Sequence, residues 1–215
     1  MKYSNLLCVL LAVALVILSI KIAFLDHASA ADNNQPTKTE AAAEKQWQKV
    51  SVADARLDAF KFFSTPAALT VGRRGDMNSM TIGWGQIGSV WGKDVATVYV
   101  RQSRFTKHLM DKYDTFTVEI FPADCAKVLD YLGSKSGRDE DKIKGSGLTL
   151  KTMENGAPAF EEGSVILECR KIATTDVTLP CMSQELTDQW YTKDGDKGNF
   201  HTAYTGEITA VWVKK

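Results

Sequence analysis

The segment Val95-Ala96-Thr97-Val98-Tyr99-Val100-Arg101-Gln102-Ser103-Arg104-Phe105-Thr106 decides how the rest of the chain is read. Its first six residues are apolar and β-prone, which predicts a strand. Lys107-His108-Leu109-Met110-Asp111-Lys112 follows and reads as helix. Two guanidinium groups and two hydroxyls therefore fall where a strand stops and a helix begins. Backbone N–H groups at a helix start attract anions, and the helix dipole adds to that attraction. Arginine offers a planar fork suited to phosphate oxygens. Arg101, Ser103, Arg104 and Thr106 thus make a candidate phosphate-binding corner. Taken alone, the segment is better explained by Ser103 as an ordinary N-cap with both arginines in solvent.

Two further segments give the corner weight. Gly133-Ser134-Lys135-Ser136-Gly137-Arg138-Asp139-Glu140-Asp141-Lys142 follows a helical pattern over Asp124–Leu132, with Val128, Leu129 and Leu132 on one face. Gly133 fits a C-cap. The loop after it mixes small hydroxyls, a lysine and an arginine, and can close over a phosphate or ribityl chain. By itself it reads as an ordinary solvated loop. Asn78-Ser79-Met80-Thr81-Ile82-Gly83-Trp84-Gly85-Gln86-Ile87-Gly88-Ser89-Val90-Trp91 is rich in glycine. Glycine in a strand pattern marks close approach of the backbone to another group. A flat ring can lie against such a backbone, while Trp84 and Trp91 read as core residues of a twisted strand.

In this order and spacing the three segments resemble the flavin reductase-like proteins, including flavoredoxin-type members, which bind FMN on a split β-barrel. Gly156-Ala157-Pro158-Ala159-Phe160, Ile166-Leu167-Glu168-Cys169-Arg170 and His201-Thr202-Ala203-Tyr204-Thr205-Gly206-Glu207-Ile208 also resemble the family, so the likeness runs from about Ala55 to the C-terminus. The resemblance implies a mainly β fold with peripheral helices, a split β-barrel over residues 51–215, and a homodimer with the flavin near its interface. It places Asn78, Met80, Thr81, Ile82, Gly83 and Trp84 along the isoalloxazine and ribityl side. Arg101, Ser103, Arg104 and Thr106 would hold the 5′-phosphate. Ser134, Lys135, Ser136 and Arg138 would approach it from the second loop. His201 and Tyr204 would flank the ring, although a lone histidine before a strand is more often a surface residue.

Alternating or apolar runs predict strands at Ala68–Gly72, Met80–Gly85, Val95–Val100, Thr115–Ile120, Leu148–Met153, Ser164–Ala173 and Thr205–Val213. A turn is expected at Arg74-Gly75-Asp76, and helices at Thr106–Lys112 and Asp124–Leu132. Closely spaced strands with few helices suggest a closed or half-closed barrel.

Residues 1–30 place Lys2 before a long apolar run and end in Ala28-Ser29-Ala30, which reads as a cleaved signal peptide. The alternative is an uncleaved membrane anchor, with Lys21 snorkelling. Residues 31–50 are polar, alanine-rich and charged, and read as a linker. The expected location is outside the cytoplasm, in a periplasm or its equivalent, or at the membrane if the segment is retained.

Lysine plus arginine and aspartate plus glutamate both number 26, so net charge is zero and basic residues are dispersed, which argues against nucleic acid. Cys125, Cys169 and Cys181 leave an odd count after residue 30, against a complete disulfide framework. His108 and His201 lack clustered partners at ligand spacing, so no metal is expected. Gly-x-Ser-x-Gly is missing, which disfavours a nucleophile elbow. Gly83-Trp84-Gly85-Gln86-Ile87-Gly88 matches Gly-x-Gly-x-x-Gly in spacing but lies in a strand pattern with no helix after it, so a Rossmann domain is disfavoured.

The expected function is an exported FMN-binding oxidoreductase that passes electrons or hydride through its flavin, with donor and acceptor unspecified and no catalytic residue assigned. The alternative is a non-catalytic flavin- or haem-binding electron carrier on the same barrel. Nicotinamide cofactors are scarce outside the cytoplasm, which favours another redox protein or a membrane carrier as donor.

Overall fold

The computed structural model describes residues 46–64, 67–193 and 197–215. The expected targeting segment and the expected linker up to residue 45 lie outside the described residues.

Among the described residues the strands are β1 (Trp47–Val50), β2 (Ala67–Arg73), β3 (Asp76–Ile82), β4 (Gly85–Val90), β5 (Lys93–Arg101), β6 (Thr115–Ile120), β7 (Leu150–Thr152), β8 (Pro158–Phe160), β9 (Val165–Val177) and β10 (His201–Lys214). The helices are α1 (Phe105–Lys112), α2 (Ala126–Ser134), α3 (Lys142–Ser146) and α4 (Gln184–Trp190). None of them is long and apolar enough to cross a membrane.

The main sheet runs β3-β2-β6-β9-β10-β5-β4, with β1 also on β10. All its pairings are antiparallel, and the sheet curls without closing. This is a split β-barrel with peripheral helices. Along β10, β9 takes one side. The other side is divided between β5, opposite His201–Glu207, and β1, opposite Val211–Lys214. Trp47–Val50, the end of the expected linker, therefore belongs to the barrel. Gly206 sits at a register shift in β10, where a Cβ would stand 2.7 Å from the Phe116 ring. Only glycine lets strand and ring approach that closely.

Leu69 and Val71 of β2, Phe116 and Val118 of β6, and Leu167 and Cys169 of β9 fill the interior, together with Leu109 and Met110 of α1. The alternate residues of β6, Thr117 and Glu119, are also fully buried. An alternating strand usually shows one face to water. Here the β7–β8 hairpin covers that face. Its Phe160 N–H donates to Glu119 Oε2 at 2.8 Å, and its Pro158 carbonyl accepts from Thr117 Oγ1 at 2.7 Å. Thr70 Oγ1 donates to Glu119 Oε1 at 2.7 Å. On β9, Glu168 accepts from the Asn155 N–H at 2.9 Å and from Trp212 Nε1 at 2.5 Å. Two buried glutamates thus fasten the Leu148–Gly163 excursion to the sheet.

Several strand boundaries differ from expectation, β9 among them, which runs to Val177 rather than Ala173. β3 begins at Asp76, closing a tight hairpin with β2, and ends at Ile82 rather than Gly85. Gly85 opens β4, where a Cβ would lie 2.4 Å from the Phe63 ring. β10 starts four residues before the expected Thr205, because β5 extends its ladder to His201. Gly133 lies inside α2 rather than capping it. A Cβ there would meet Thr81 Cβ at 3.2 Å, so this glycine serves helix-on-sheet packing. Cys125, Cys169 and Cys181 are all free thiols.

Burial pushes the Glu119 carboxyl up from 4.5 to about 7, against the hydrogen bonds from Thr70, Phe160 N–H and Thr117. The folded protein holds this proton between those pH values, whereas the unfolded chain has released it. Glu119 therefore adds most stability below pH 4.5, and its contribution is lost as pH rises through about 7. The loss is on the order of 3 kcal/mol. Glu119→Gln imitates the neutral carboxyl, so its urea-unfolding free energy should lose that part of the fall between pH 5 and pH 8. An unchanged pH slope would contradict the assignment.

Candidate functional site

The end of β5 faces the start of β10, which puts Arg101 opposite His201. The turn leaving β3 brings Gly83 and Trp84 to the same place. The Trp84 and His201 rings lie 4.9 Å apart. These segments border a cleft of about 460 Å³, lined by the expected Met80, Thr81, Ile82, Gly83, Trp84, Arg101, Ser103, Arg104 and His201, together with Tyr99 and Asn199.

A smaller pocket of about 180 Å³ adjoins it and shares Met80, Ser103 and Arg104. Asn78, Thr106, Lys135, Ser136 and Arg138 line this pocket, joined by Phe105, Gly137 and Lys142. The three segments singled out in the sequence thus meet at one place. Ser134 lines neither cavity. It is the last residue of α2 and its hydroxyl turns back to the Tyr131 carbonyl. Tyr204 lines neither as well, being fully buried and donating to Asp111 Oδ1 at 2.5 Å.

Ser103 does not cap α1. The N-cap is Arg104, no side chain caps the helix, and its first turn holds no acid. Ser103 is instead tied to the loop before β10. Its N–H donates to Asn199 Oδ1 at 3.1 Å, and Asn199 Nδ2 donates to its hydroxyl at 2.8 Å. Gln102 N–H adds a bond to the Phe200 carbonyl at 2.9 Å. The corner is thereby held open, with the α1 N-terminus facing the small pocket. Thr106 is buried there and accepts from Asn78 Nδ2 at 2.8 Å, which leaves its own hydroxyl proton for another acceptor.

The opposite wall is the C-terminus of α2. Its last carbonyls lack partners within the helix. Arg104 Nη2 donates to Gly133 O at 2.8 Å, and Lys142 Nζ donates to Leu132 O at 2.5 Å. Lys142 is 3% exposed. Neither cation has a carboxylate partner among the described residues. Burial, then the neighbouring Arg101, lowers the Arg104 pKa. Burial, then Arg104, pushes Lys142 down to about 8, with Glu140 opposing. A helix end carries about half a negative charge, so two full cations outweigh it. Arg138 completes the wall, with Nη1 on Ser103 O at 3.0 Å and its guanidinium over the Phe105 ring. Gly137 lies so close to α1 that a Cβ would stand 2.5 Å from Phe105 and 2.7 Å from Asn78 Oδ1. Such a pocket is suited to a small anion with several acceptor oxygens.

The larger cleft is backed by the excursion between β9 and β10. Tyr191, just after α4, shares a hydrogen bond of 2.7 Å with His201 Nδ1. The Arg101 guanidinium lies 5.5 Å from its ring centre. Trp190 stacks edge-on against Trp84 at 4.8 Å. Three cleft residues, from β5, β10 and the turn after β3, are thus braced by one dipeptide.

Sequence reasoning missed Tyr99, Asn199, Lys142 and Tyr191. Lys142 closes an acidic run, Asp139-Glu140-Asp141, that looks like a solvated loop. Asn199 follows Gly198 in a turn-like stretch, a weak signal on its own.

The family model described as the flavin reductase like domain matches residues 60–215. Comparison with curated protein sequences finds no match. Among solved structures, flavoredoxin from Methanosarcina acetivorans superposes with a TM-score of 0.54 at 23% identity, covering 70% of this chain and 68% of that one. Flavoredoxin of Desulfovibrio vulgaris (Miyazaki F) gives 0.53 at 23% identity, covering 70% and 69%. The FMN-binding domain of a flavin reductases-like enzyme from Shewanella baltica OS155 gives 0.57 at 16% identity, covering 78% and 77%. At these identities the superpositions speak for the split-barrel fold. The family match spans most of the chain, and with it this protein belongs to the flavin reductase-like domain family.

Proposed function

We propose that the two joined cavities bind FMN and that the protein is a flavin-dependent oxidoreductase. The observation that carries this reading is the pair Arg104 and Lys142, two desolvated cations set against backbone carbonyls at one end of a longer cleft. A dianionic phosphate supplies the charge this end lacks. Arg138, Ser136 and the Thr106 hydroxyl add donors around the same pocket. Met80, Ile82, Gly83 and Trp84 offer a flat, largely apolar wall for the ring, with Tyr99 and His201 beside it.

Mononucleotide rather than dinucleotide is supported by what lies further on. The next cavity along, past Gly137, is lined by Asp76, Asp139, Glu140 and Asp141 against Arg74, Arg138 and Lys142. Its carboxylates outnumber its cations, which disfavours a second phosphate there.

When bound, FMN supplies the electron-carrying ring. The chain's own part is binding and orientation. Tyr191 and Trp84 hold His201 in place at the cleft wall. Asn199 fixes the phosphate corner to the strand that carries His201.

Titration of the full chain with FMN should give saturable quenching of flavin fluorescence at one site per chain. Arg104→Ala removes a charge-assisted contact and should weaken binding by about 1.5–3 kcal/mol, near tenfold or more. Unquenched flavin, or equal affinity in the variant, would sink the reading.

Binding should also follow the Lys142 proton. The free site holds this ammonium near its titration point at about 8, and a bound phosphate dianion raises its pKa further. Affinity should be level around neutral pH and fall as pH rises above about 8. Lys142→Met should bind more weakly at pH 7 and lose that alkaline fall. A wild-type profile still level at pH 9.5 would count against Lys142 as a ligand.

Gly137→Ala forces the loop off α1 and Asn78. It should lower FMN affinity and speed tryptic cleavage after the exposed Lys135 and Arg138. Wild-type affinity and cleavage rate together would show that the close packing is dispensable.

A further inference from the structure

Helix α4 lies on the excursion between β9 and β10 and is barely sunk into the fold. Of its seven residues only Thr187 is buried. Leu186 and Trp190, four residues apart, share one side of the helix and are 47% and 40% exposed. Leu179, ahead of the helix, is exposed as well. Trp190 also reaches inward. Its ring meets Trp84 edge-on at 4.8 Å, and Trp84 lies 4.9 Å from His201 on the wall of the first cavity. A continuous aromatic contact thus runs from solvent to the place proposed for the flavin ring.

The same excursion is acidic in a chain whose net charge is zero. Asp176 to Lys197 holds five carboxylates against two lysines. Asp176, Glu185 and Asp188 are exposed and form no ion pair among the described residues. Asp176 accepts only from the Thr202 hydroxyl, and Asp188 from the Gln184 amide. Exposed acids elsewhere are paired, as Asp76 is with Lys112 and Asp111 with Lys107. The excursion's own cations are Lys193 and Lys197, while Arg101 faces the Tyr191 ring from within the fold. An apolar spot flanked by unpaired carboxylates is complementary to an apolar contact ringed by lysines.

We infer that the exposed side of α4 is the docking surface of a basic protein with a one-electron metal centre, which exchanges electrons with the proposed flavin across the Trp190–Trp84 contact. The inference rests on the reading of the first cavity as the FMN site and names the redox partner of that site. A metal centre held inside another protein cannot enter the cleft to hand over hydride. What crosses is a single electron, and the matching proton is exchanged with water. Two such encounters reduce or reoxidise one flavin. Docking of this kind is small, transient and steered by charge.

The probes are horse heart cytochrome c and the same protein succinylated on its lysines, which keeps the haem and reverses the charge. In isothermal titration of the FMN-free full chain at low salt, native cytochrome c should bind at one site per chain. The succinylated form should bind about tenfold or more weakly, with the gap closing as salt is added. In stopped flow, the FMN-loaded chain is first reduced with dithionite. It should then reduce native cytochrome c about tenfold or more faster than the succinylated form. Two ferric haems become ferrous as one reduced flavin gives up two electrons and two protons. Glu185→Lys combined with Asp188→Lys should weaken binding of the native probe and slow its reduction by about tenfold. Leu186→Asn should do the same severalfold. FMN affinity should hold in both variants, since these side chains border neither the cleft nor the small pocket. Equal binding or equal rates for the two probes, or variants that behave as wild type, overturn the inference. Sedimentation that shows self-association lost in Leu186→Asn also overturns it, because a second copy then covers this face. A chain that takes up FMN and does not bind native cytochrome c refutes the docking surface alone. A chain that takes up no FMN refutes the cofactor reading, and electron exchange at this face with it.

Discussion

Strand β10 has to satisfy three neighbours with two edges. One edge is given to β9 along almost its full length, and the other is shared by β5 and β1. Backbone donors and acceptors buried in a sheet must be paired, so this division fixes where the barrel opens. Register shifts between Thr205 and Gly206 and between Ile208 and Ala210 let one strand bend enough to serve both partners. The same ladder sets His201 across from Arg101. The site therefore inherits its geometry from the pairing that shapes the barrel.

The cationic end of the site is built on a second constraint. A helix C-terminus leaves carbonyls that need donors, and α2 receives them from Arg104 and Lys142. Each cation thereby has a partner before any ligand arrives, which makes its burial tolerable. The compensation is incomplete, because aligned peptide dipoles offset only part of two full charges. The pocket therefore still favours an anion. A carboxylate in place of either carbonyl would have neutralised it. The Thr81 hydroxyl bond to Leu129 O and the close Gly133–Thr81 contact lock α2 onto β3, so this electrostatic wall is also mechanically fixed.

Long-period signals were legible in the sequence and contacts between distant segments were not. Thr115–Ile120 matches β6 to the residue, because its alternation is clean and it is bounded by Asp114 and Pro122. The corner from Arg101 to Thr106 and the loop from Lys135 to Arg138 were found from residue chemistry, and the structure sets them side by side. β1 escaped notice because four residues are too short to show a period, and its partner lies at the far end of the chain. β8 begins with Pro158 and spans three residues, so it reads as loop until the hairpin with β7 is seen. Ser134 was grouped with the loop because its neighbours are small and polar, yet α2 runs through it. Gly133 looked like a helix stop, whereas its missing side chain is needed sideways, against Thr81. Lys142 was hidden for a related reason: a cation beside three acids looks solvated unless the helix that buries it is known.

The arrangement of charge also accounts for what the sequence lacks. Fixing one end of a long ligand by several charge-assisted bonds leaves the other end free to be apolar and open. The cations here sit together in the small pocket and at its junction with the cleft, and the far side turns aromatic within the span of Trp84 and Tyr99. A bound cofactor that brings its own reactive ring needs from the protein a grip, a flat wall and a steady neighbour. His201, held by Tyr191 and stacked on Trp84, is such a neighbour. On the proposed reading, the missing nucleophile elbow follows from this division of labour: the chain's polar residues are spent on holding the ligand, and the chemistry arrives with it.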